Sequence, residues 1–253
     1  MTDPARFQII PLLCGYVLNH ERASFLYRTN CGGARLDAPC TAWLLRSDHQ
    51  VILVDAGPGP RSRAPQHYTP GPGPDDLLLA ALAHNGVPPE AIRTVVLTHL
   101  HNDHVGGAAS LPNAVFHVQA AELREAVWPV PFQRPLYEIN QPGQLPAWTA
   151  ILNRMVVLEG DATIMRGLST ILLPGHTSGS QGVLVETASG TFLLPGDLVP
   201  LHDNWPGDGA APIPNGNHTD LYAYDRSFRR LAGLNVTVLP SHDPVVFDRP
   251  AWP

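Results

Sequence analysis

The chain has 253 residues, 44% of them hydrophobic, with 27 prolines, 22 glycines and a formal net charge of −6. That length suffices for one α/β domain with a full core, and the acidic balance, with no Lys/Arg-rich run, excludes the basic face that nucleic-acid binding needs. No apolar stretch reaches the roughly 18 residues of a membrane span, the three cysteines (Cys14, Cys31, Cys40) do not form a disulfide framework, and Met1 to Arg6 lacks a signal peptide's basic start and apolar core; a soluble cytoplasmic protein is expected.

Strands are predicted over 7–13 and 41–45, and a turn at 47–50 leads into a third from Val51 to Val54. Gly57 to Pro74 reads as a Gly/Pro-rich loop. Asp75 and Asp76 can cap a helix with Leu78, Leu79 and Leu82 on its apolar side, ended by Asn85-Gly86. A strand over 94–97 runs into a histidine cluster, whose closing Gly106-Gly107 is expected to let the next helix pack tightly. A strand over 115–118 and a helix near 120–126 follow. From Trp128 to Trp148 periodicity dissolves, as in an insertion. Its aromatics, Trp128, Phe132, Tyr137 and Trp148, either line an apolar pocket or pack the segment onto the domain, and Trp205 is read the same way. Strand signals resume at 155–158 and run in hairpins to Leu194, with 182–186 reading as buried on both faces. After a second loop, Val199 to His218, Thr219 is expected to cap a helix carrying Leu221, Tyr224, Phe228 and Leu231 on one side.

The chemistry concentrates where strands end. Thr98-His99-Leu100-His101-Asn102-Asp103-His104 packs three imidazoles and a carboxylate into one turn. Residues spaced by two point the same way on an extended chain, so His99 and His101 can share one ion, while Asp103 and His104 can face a second. Imidazole and carboxylate suit zinc and related divalent metals. Three more apolar runs end in small-residue turns with a potential ligand: Pro174-Gly175-His176, Pro195-Gly196-Asp197 and Pro240-Ser241-His242-Asp243.

This set resembles the H-x-H-x-D-H motif, with distant His, Asp and His, of metallo-β-lactamase-fold hydrolases. The resemblance runs from about Ala42 to His242, and Val51 to Gly57 is similar to the family's early strand and turn. It implies an α/β fold, a four-layer αββα sandwich, here taken as a single domain over 1–253 with loop insertions near 128–148 and 199–218. By the same resemblance His99, His101 and His176 would hold one metal, Asp103, His104 and His242 a second, and Asp197 would bridge them. Asp55 would support the ligand loop without binding metal. Two such ions share a hydroxide of near-neutral pKa, so hydrolysis needs no Ser or Cys nucleophile, and Asp103 is the candidate to move a proton to the leaving oxygen. Zinc is expected; iron, cobalt and manganese are permitted.

The layout resembles the quorum-quenching lactonase branch, which opens N-acyl homoserine lactones or other small lactones. One departure stands out: that branch commonly has Tyr three residues after the bridging Asp, and Pro200 is found here, leaving His202, Tyr222 or Tyr224 as replacements. An aryl ester or organophosphate hydrolase, or a thioesterase, is the alternative on the same scaffold, and a non-catalytic binding protein a distant one. The Arg226, Arg229 and Arg230 cluster reads as a solvated helix face. The expected partner is a small-molecule substrate, with no nucleic acid and no membrane; a homodimer is left open. His20, His49, His67, His84, His117 and His218 are read as surface or packing residues, the cysteines as small buried hydrophobes, and Asp243 as orienting His242 or capping a turn.

Overall fold

Alternation along the central strands decides the layering. The computed structural model describes residues 6–62, 75–139, 141–207 and 209–253; His67 and the greater part of the expected 57–74 loop fall outside them. Six strands, β1 (Gln8–Glu21), β2 (Arg35–Arg46), β3 (Val51–Val54), β4 (Thr94–Val96), β5 (Val115–Gln119) and β6 (Met155–Leu158), form one sheet in chain order. It is antiparallel from β1 to β3 and parallel from β3 to β6. The second sheet has the order β11-β10-β9-β8-β7, built from β7 (Ala162–Met165), β8 (Leu168–Leu172), β9 (Gln181–Thr187), β10 (Gly190–Leu194) and β11 (Thr237–Val238). Among the described residues, four α-helices accompany them: α1 (Leu77–His84), α2 (Asn102–Val105), α3 (Ala120–Val127) and α4 (Leu221–Ala232).

Trp43, Leu45, Ile52, Val54 and Val96 of the first sheet meet Val183, Val185, Phe192 and Leu194 of the second. Residues one step out of phase, Leu44, Leu53, Val95 and Phe116, pack instead on Leu78 and Leu82 of α1 and Ala126 of α3. The far face of the second sheet, through Ile171 and Leu193, covers Tyr224, Phe228 and Leu231 of α4. A period of two places alternate residues in different cores. The result is the expected helix–sheet–sheet–helix sandwich, and β9 is buried on both faces as its composition suggests.

Several local expectations need correction. β1 and β2 are longer than their apolar runs because polar ends such as His20, Glu21 and Arg35 still pair. Register shifts at Leu13/Gly15 and Val17/His20 interrupt β1, and such bulges bend a strand and re-aim its side chains. Asp76 caps α1 by accepting from the Leu79 N–H at 3.1 Å. The cap of α4 is Asp220, which accepts from Tyr222 and Ala223, whereas Thr219 bonds back to Gly175. Gly106 and Gly107 serve the 56–59 turn rather than a helix: Cβ atoms there would lie 2.1 Å from the Pro58 oxygen and 2.3 Å from that of Ala56. In the 128–148 segment Tyr137 and Trp148 join the core, while Trp128 and Phe132 are 81% and 72% exposed.

The turn after His176 is pressed onto the start of α3, where a Cβ on Gly179 would sit 2.0 Å from the Glu122 nitrogen. Gly179→Ala is therefore expected to destabilise the protein by about 1–3 kcal/mol, the usual range for overpacking. Urea unfolding at matched m-value measures this, and an unchanged midpoint would mean that the turn moves away freely.

Candidate metal centre

All seven ligand candidates lie where strand ends meet along one edge of the sandwich, on loops, in the 3-10 turn Gly196–Leu198 or in the first turn of α2. His99, His101 and His176 present nitrogens within 4.8 Å of one another, and so do His99, His104 and Asp197 as a mixed set. His176 Nε2 is 3.0 Å from His101 Nδ1. Asp103 Oδ2 is 3.7 Å from His242 Nε2 and 3.8 Å from His104 Nε2. Asp197 stands between the groups, with Oδ1 at 3.0 Å from His242 Nε2 and 3.2 Å from His104 Nε2, and Oδ2 at 3.5 Å from His176 Nε2.

Four of the five imidazoles are held from behind through Nδ1. His104 donates to Asp55 Oδ2 at 2.8 Å, His242 to the Pro39 carbonyl at 2.8 Å, and His176 to the Asn217 carbonyl at 2.7 Å. His99 Nδ1 lies 3.1 Å from Thr98 Oγ1, whose own proton goes to Asp55 Oδ2. With Nδ1 protonated, each ring turns a bare Nε2 inward. Asp55 thus orients one ring directly and a second through Thr98, and its Oδ1 accepts the Thr98 N–H at 2.7 Å.

Burial pushes His99 and His101 well below the ordinary imidazole value, and neighbouring imidazoles push further; burial lowers His176 as well. Burial also opposes charge on His104 and His242, but there Asp103 and Asp197 outweigh it and raise both. His242 and His104 in turn outweigh the burial of Asp197 and hold it well below the usual carboxylate range. One end is therefore a trio of neutral donors, and the other an acidic pocket that favours positive charge. His99 Nε2 and His104 Nε2 are buried without a hydrogen-bond partner. Inward lone pairs crowded at about 3 Å are what a divalent cation resolves, so the donor set fits two such ions.

Residues invisible to motif reading complete the setting. Ser241 donates to Asp197 Oδ1 at 2.8 Å. Glu122, fully buried, accepts from the Leu100 N–H at 2.8 Å, from Tyr137 Oη at 2.9 Å and from Thr177 Oγ1. It so ties the loop between His99 and His101 to the turn after His176. Glu122 reads as one more surface carboxylate on a helix, and only its chain partners reveal it.

A cavity of about 200 Å³ opens on His101, Asp103, Asp197 and His242, walled by Val17, His20, Phe25, Leu136, Asn215 and Asn217. His20 is thus a cavity residue rather than a surface one. None of the aromatics of the 128–148 segment lines this cavity; Trp128 and Phe132 border a separate one beside Ser178 and Asp220. Nor does any suggested substitute for the lactonase tyrosine reach it. Tyr222 is 82% exposed, Tyr224 donates to the Asp197 and Leu198 carbonyls, and His202 pairs with Asp243 at 3.2 Å. Pro200 itself uses its carbonyl to accept the His242 N–H. Asp243 caps the turn at Val245 and leaves His242 to Pro39. Trp205 stacks on Phe228. Arg230 bonds Asp161 and the Leu172 carbonyl, so it is no purely solvated group. Cys14 and Cys40 are buried, Cys40 beside Asp103 and His242, but Cys31 is partly exposed; all three are free.

Asp55→Ala is expected to weaken divalent-ion binding by roughly 10–100-fold, the usual effect of losing the group behind a ligand histidine; chelator competition measures it, and wild-type affinity would show that Thr98 and His104 keep their places unaided. Burial lifts the Glu122 carboxyl from 4.5 to about 7. Its folded pKa lies above its unfolded one, so its stabilising contribution is complete below about 4.5 and lost as pH rises through about 7. Glu122→Gln should remove that component: the difference in melting temperature between variant and wild type should shift in favour of the variant from pH 5 to pH 8. A constant difference would place the titration elsewhere.

Residues 35–242 match the metallo-beta-lactamase superfamily. The N-acyl homoserine lactonase AttM of Azorhizobium caulinodans is 31% identical over 192 residues, covering 74% of this chain and 69% of that protein. An N-acyl homoserine lactonase of a Bacillus species is 29% identical over 187 residues, covering 68% and 69%. A crystal structure of a variant of Bacillus thuringiensis AiiA with N-decanoyl-L-homoserine at its active site superposes with a TM-score of 0.75 at 21% identity, covering 97% of this chain and 96% of that one. The match over most of its length, together with these relatives, means that the chain belongs to the metallo-beta-lactamase superfamily.

Proposed function

We propose that this protein is a dinuclear metal-dependent lactonase that opens N-acyl homoserine lactones or similarly small lactones. The observation that carries the reading is the pair of ligand groups joined through Asp197, whose two oxygens reach toward His176 on one side and His104 and His242 on the other. Support comes from relatives that are N-acyl homoserine lactonases. In this reading His99, His101 and His176 would hold one ion, Asp103, His104 and His242 the other, and Asp197 would contribute to both. Bound there, two divalent ions would supply Lewis acidity at the carbonyl and an acidified water near neutral pH.

The protein's own groups do the rest. Outer hydrogen bonds to Asp55, Thr98, Pro39 and Asn217 hold four of the five imidazoles with Nε2 inward. Asp103 faces the cavity and carries a proton from the attacking water to the ring oxygen as the acyl C–O bond breaks. Val17, Phe25 and Leu136 give the substrate an apolar wall. Zinc is the metal that the N/O donor set favours, with iron, cobalt and manganese permitted. We read 1–253 as one domain, acting in the cytoplasm on a small molecule, without nucleic acid or membrane, and with a homodimer left open.

The occupied carbonyl of Pro200 and the absence of a tyrosine hydroxyl among the described cavity residues favour a second reading, an aryl ester or organophosphate hydrolase, or a thioesterase. The deciding experiment is hydrolysis of short- and long-chain N-acyl homoserine lactones by zinc-loaded protein beside a chelated control. Ring opening that disappears with the metal is expected; turnover of aryl esters or phosphotriesters alone would move the substrate class. His101→Ala and Asp197→Ala are expected to lose metal and to drop turnover by more than the roughly 100-fold cost of an outer partner. Unchanged activity in either would sink the dinuclear assignment.

A further inference from the structure

His101 is turned opposite to the other four rings. They face inward through Nε2, whereas His101 brings Nδ1 to within 3.0 Å of His176 Nε2. Its Nε2 is buried and has no hydrogen-bond partner, and the same holds for Gln133 Oε1. The Gln133 side chain nevertheless lies beside the His101 ring, where it works as an acceptor against the burial that lowers the ring's pKa. An imidazole whose Nδ1 lone pair faces a cation carries its proton on Nε2. The Gln133 atom that meets it must therefore be the oxygen.

His101 thereby sets the polarity of two side-chain amides in turn. With Oε1 committed to His101, the Gln133 amide nitrogen points away and donates to Asn217 Oδ1 at 2.9 Å. Asn217 must then turn its own amide nitrogen the other way. Asn217 lines the cavity with His101, Asp103 and Asp197, and among the described residues its Nδ2 has no protein partner. Its backbone is held at both ends, by the Asn215 side chain at 3.0 Å and by His176 Nδ1 at 2.7 Å. Flipping either amide would set two donors or two acceptors against each other, so the usual ambiguity of amide orientation is removed.

We propose that Asn217 Nδ2 is the donor that hydrogen-bonds the carbonyl oxygen of the substrate as charge develops on it, with Gln133 as the positioning residue that imposes its orientation from His101. This role rests on the reading of the centre as a hydrolase and supplies, from a side-chain amide, the donor that Pro200 does not. A fixed donor aimed at a developing oxyanion acts without reorganisation in a site shielded from water.

The test uses zinc-loaded protein, N-hexanoyl homoserine lactone and p-nitrophenyl acetate, with Asn217→Ala and Gln133→Glu. Asn217→Ala keeps the backbone carbonyl that holds His176. Gln133→Glu keeps an oxygen for His101 but takes away the donor to Asn217, which should then rotate its nitrogen out of the cavity. Both variants are expected to retain two zinc ions per chain, and Asn217→Ala the wild-type melting temperature; Gln133→Glu, which buries a carboxylate, is expected to melt lower. Each should lose roughly 10²–10³-fold in kcat, the effect of removing one oxyanion donor, with little change in KM. The double variant should be no worse than either single one, because both delete the same contact. Separately, ¹⁵N-resolved imidazole spectra of the wild type should show one ring coordinated through Nδ1 with a protected Nε2–H, and Gln133→Met should lose that protection.

Wild-type kcat in Asn217→Ala, on whichever substrate the parent hydrolyses, would overturn the donor role. Five rings all coordinated through Nε2 would overturn the orienting chain. A parent that turns over the ester but not the lactone would remove the lactonase reading while leaving Asn217 tested on the ester. A parent that turns over neither would sink both.

Discussion

Asp55 is the residue on which the candidate ligand shell depends. It occupies the left-handed backbone region, at φ 59°, where a non-glycine residue costs about 1 kcal/mol or more. Its carboxylate, buried at the end of β3, is met by the Thr98 amide, the Thr98 hydroxyl and the His104 ring. A buried carboxylate is tolerable only with such saturation. Because Thr98 passes the constraint on to His99, a single strained residue orients rings that serve both halves of the centre.

Glu122 ties together the segments that carry His99, His101 and His176. It joins the Leu100 amide, Tyr137 and Thr177, which belong to the His99–His101 loop, the 128–148 segment and the turn after His176. The segment that interrupts the strand pattern is thus structural where it matters. Tyr137 lies edge-on to His101 with ring centroids 4.7 Å apart, and Gln133 reaches Asn217. Its exposed aromatics, Trp128 and Phe132, lie off the cavity.

Electrostatics divides the centre in a way that suits hydrolysis. Three neutral imidazoles sit at one end, and two carboxylates with two imidazoles at the other. The cavity opens on Asp103 and Asp197, and its walls come from the irregular end of β1 and from 215–217. Loops at the edge of a rigid double sheet can vary such walls without moving the ligands, since the ligands hang from strand ends that two packed cores hold in place.

The local code of the chain determined a good deal: the order of strands and helices, the cap at Asp76, and the seven His and Asp residues at strand ends. These follow from short-range physics, because spacing along a strand sets which face a side chain takes and small-residue turns mark where strands stop. The αββα layering came from the family resemblance, which also added the grouping of those seven, together with the supporting role of Asp55. Tertiary structure alone decided the rest. Glu122, Ser241, Gln133 and Asn217 act on partners far along the chain, and no local pattern distinguishes them from surface polar residues. His20 follows a register shift of β1 against β2 and lines the cavity. Tyr222, Tyr224 and His202 are equally able by sequence to replace a missing hydroxyl, and only packing sends the first to the surface, the second to backbone carbonyls and the third to Asp243. Periodicity reports the face of an element; where a polar side chain finds its partner depends on which elements meet, and that is settled only when the two sheets close.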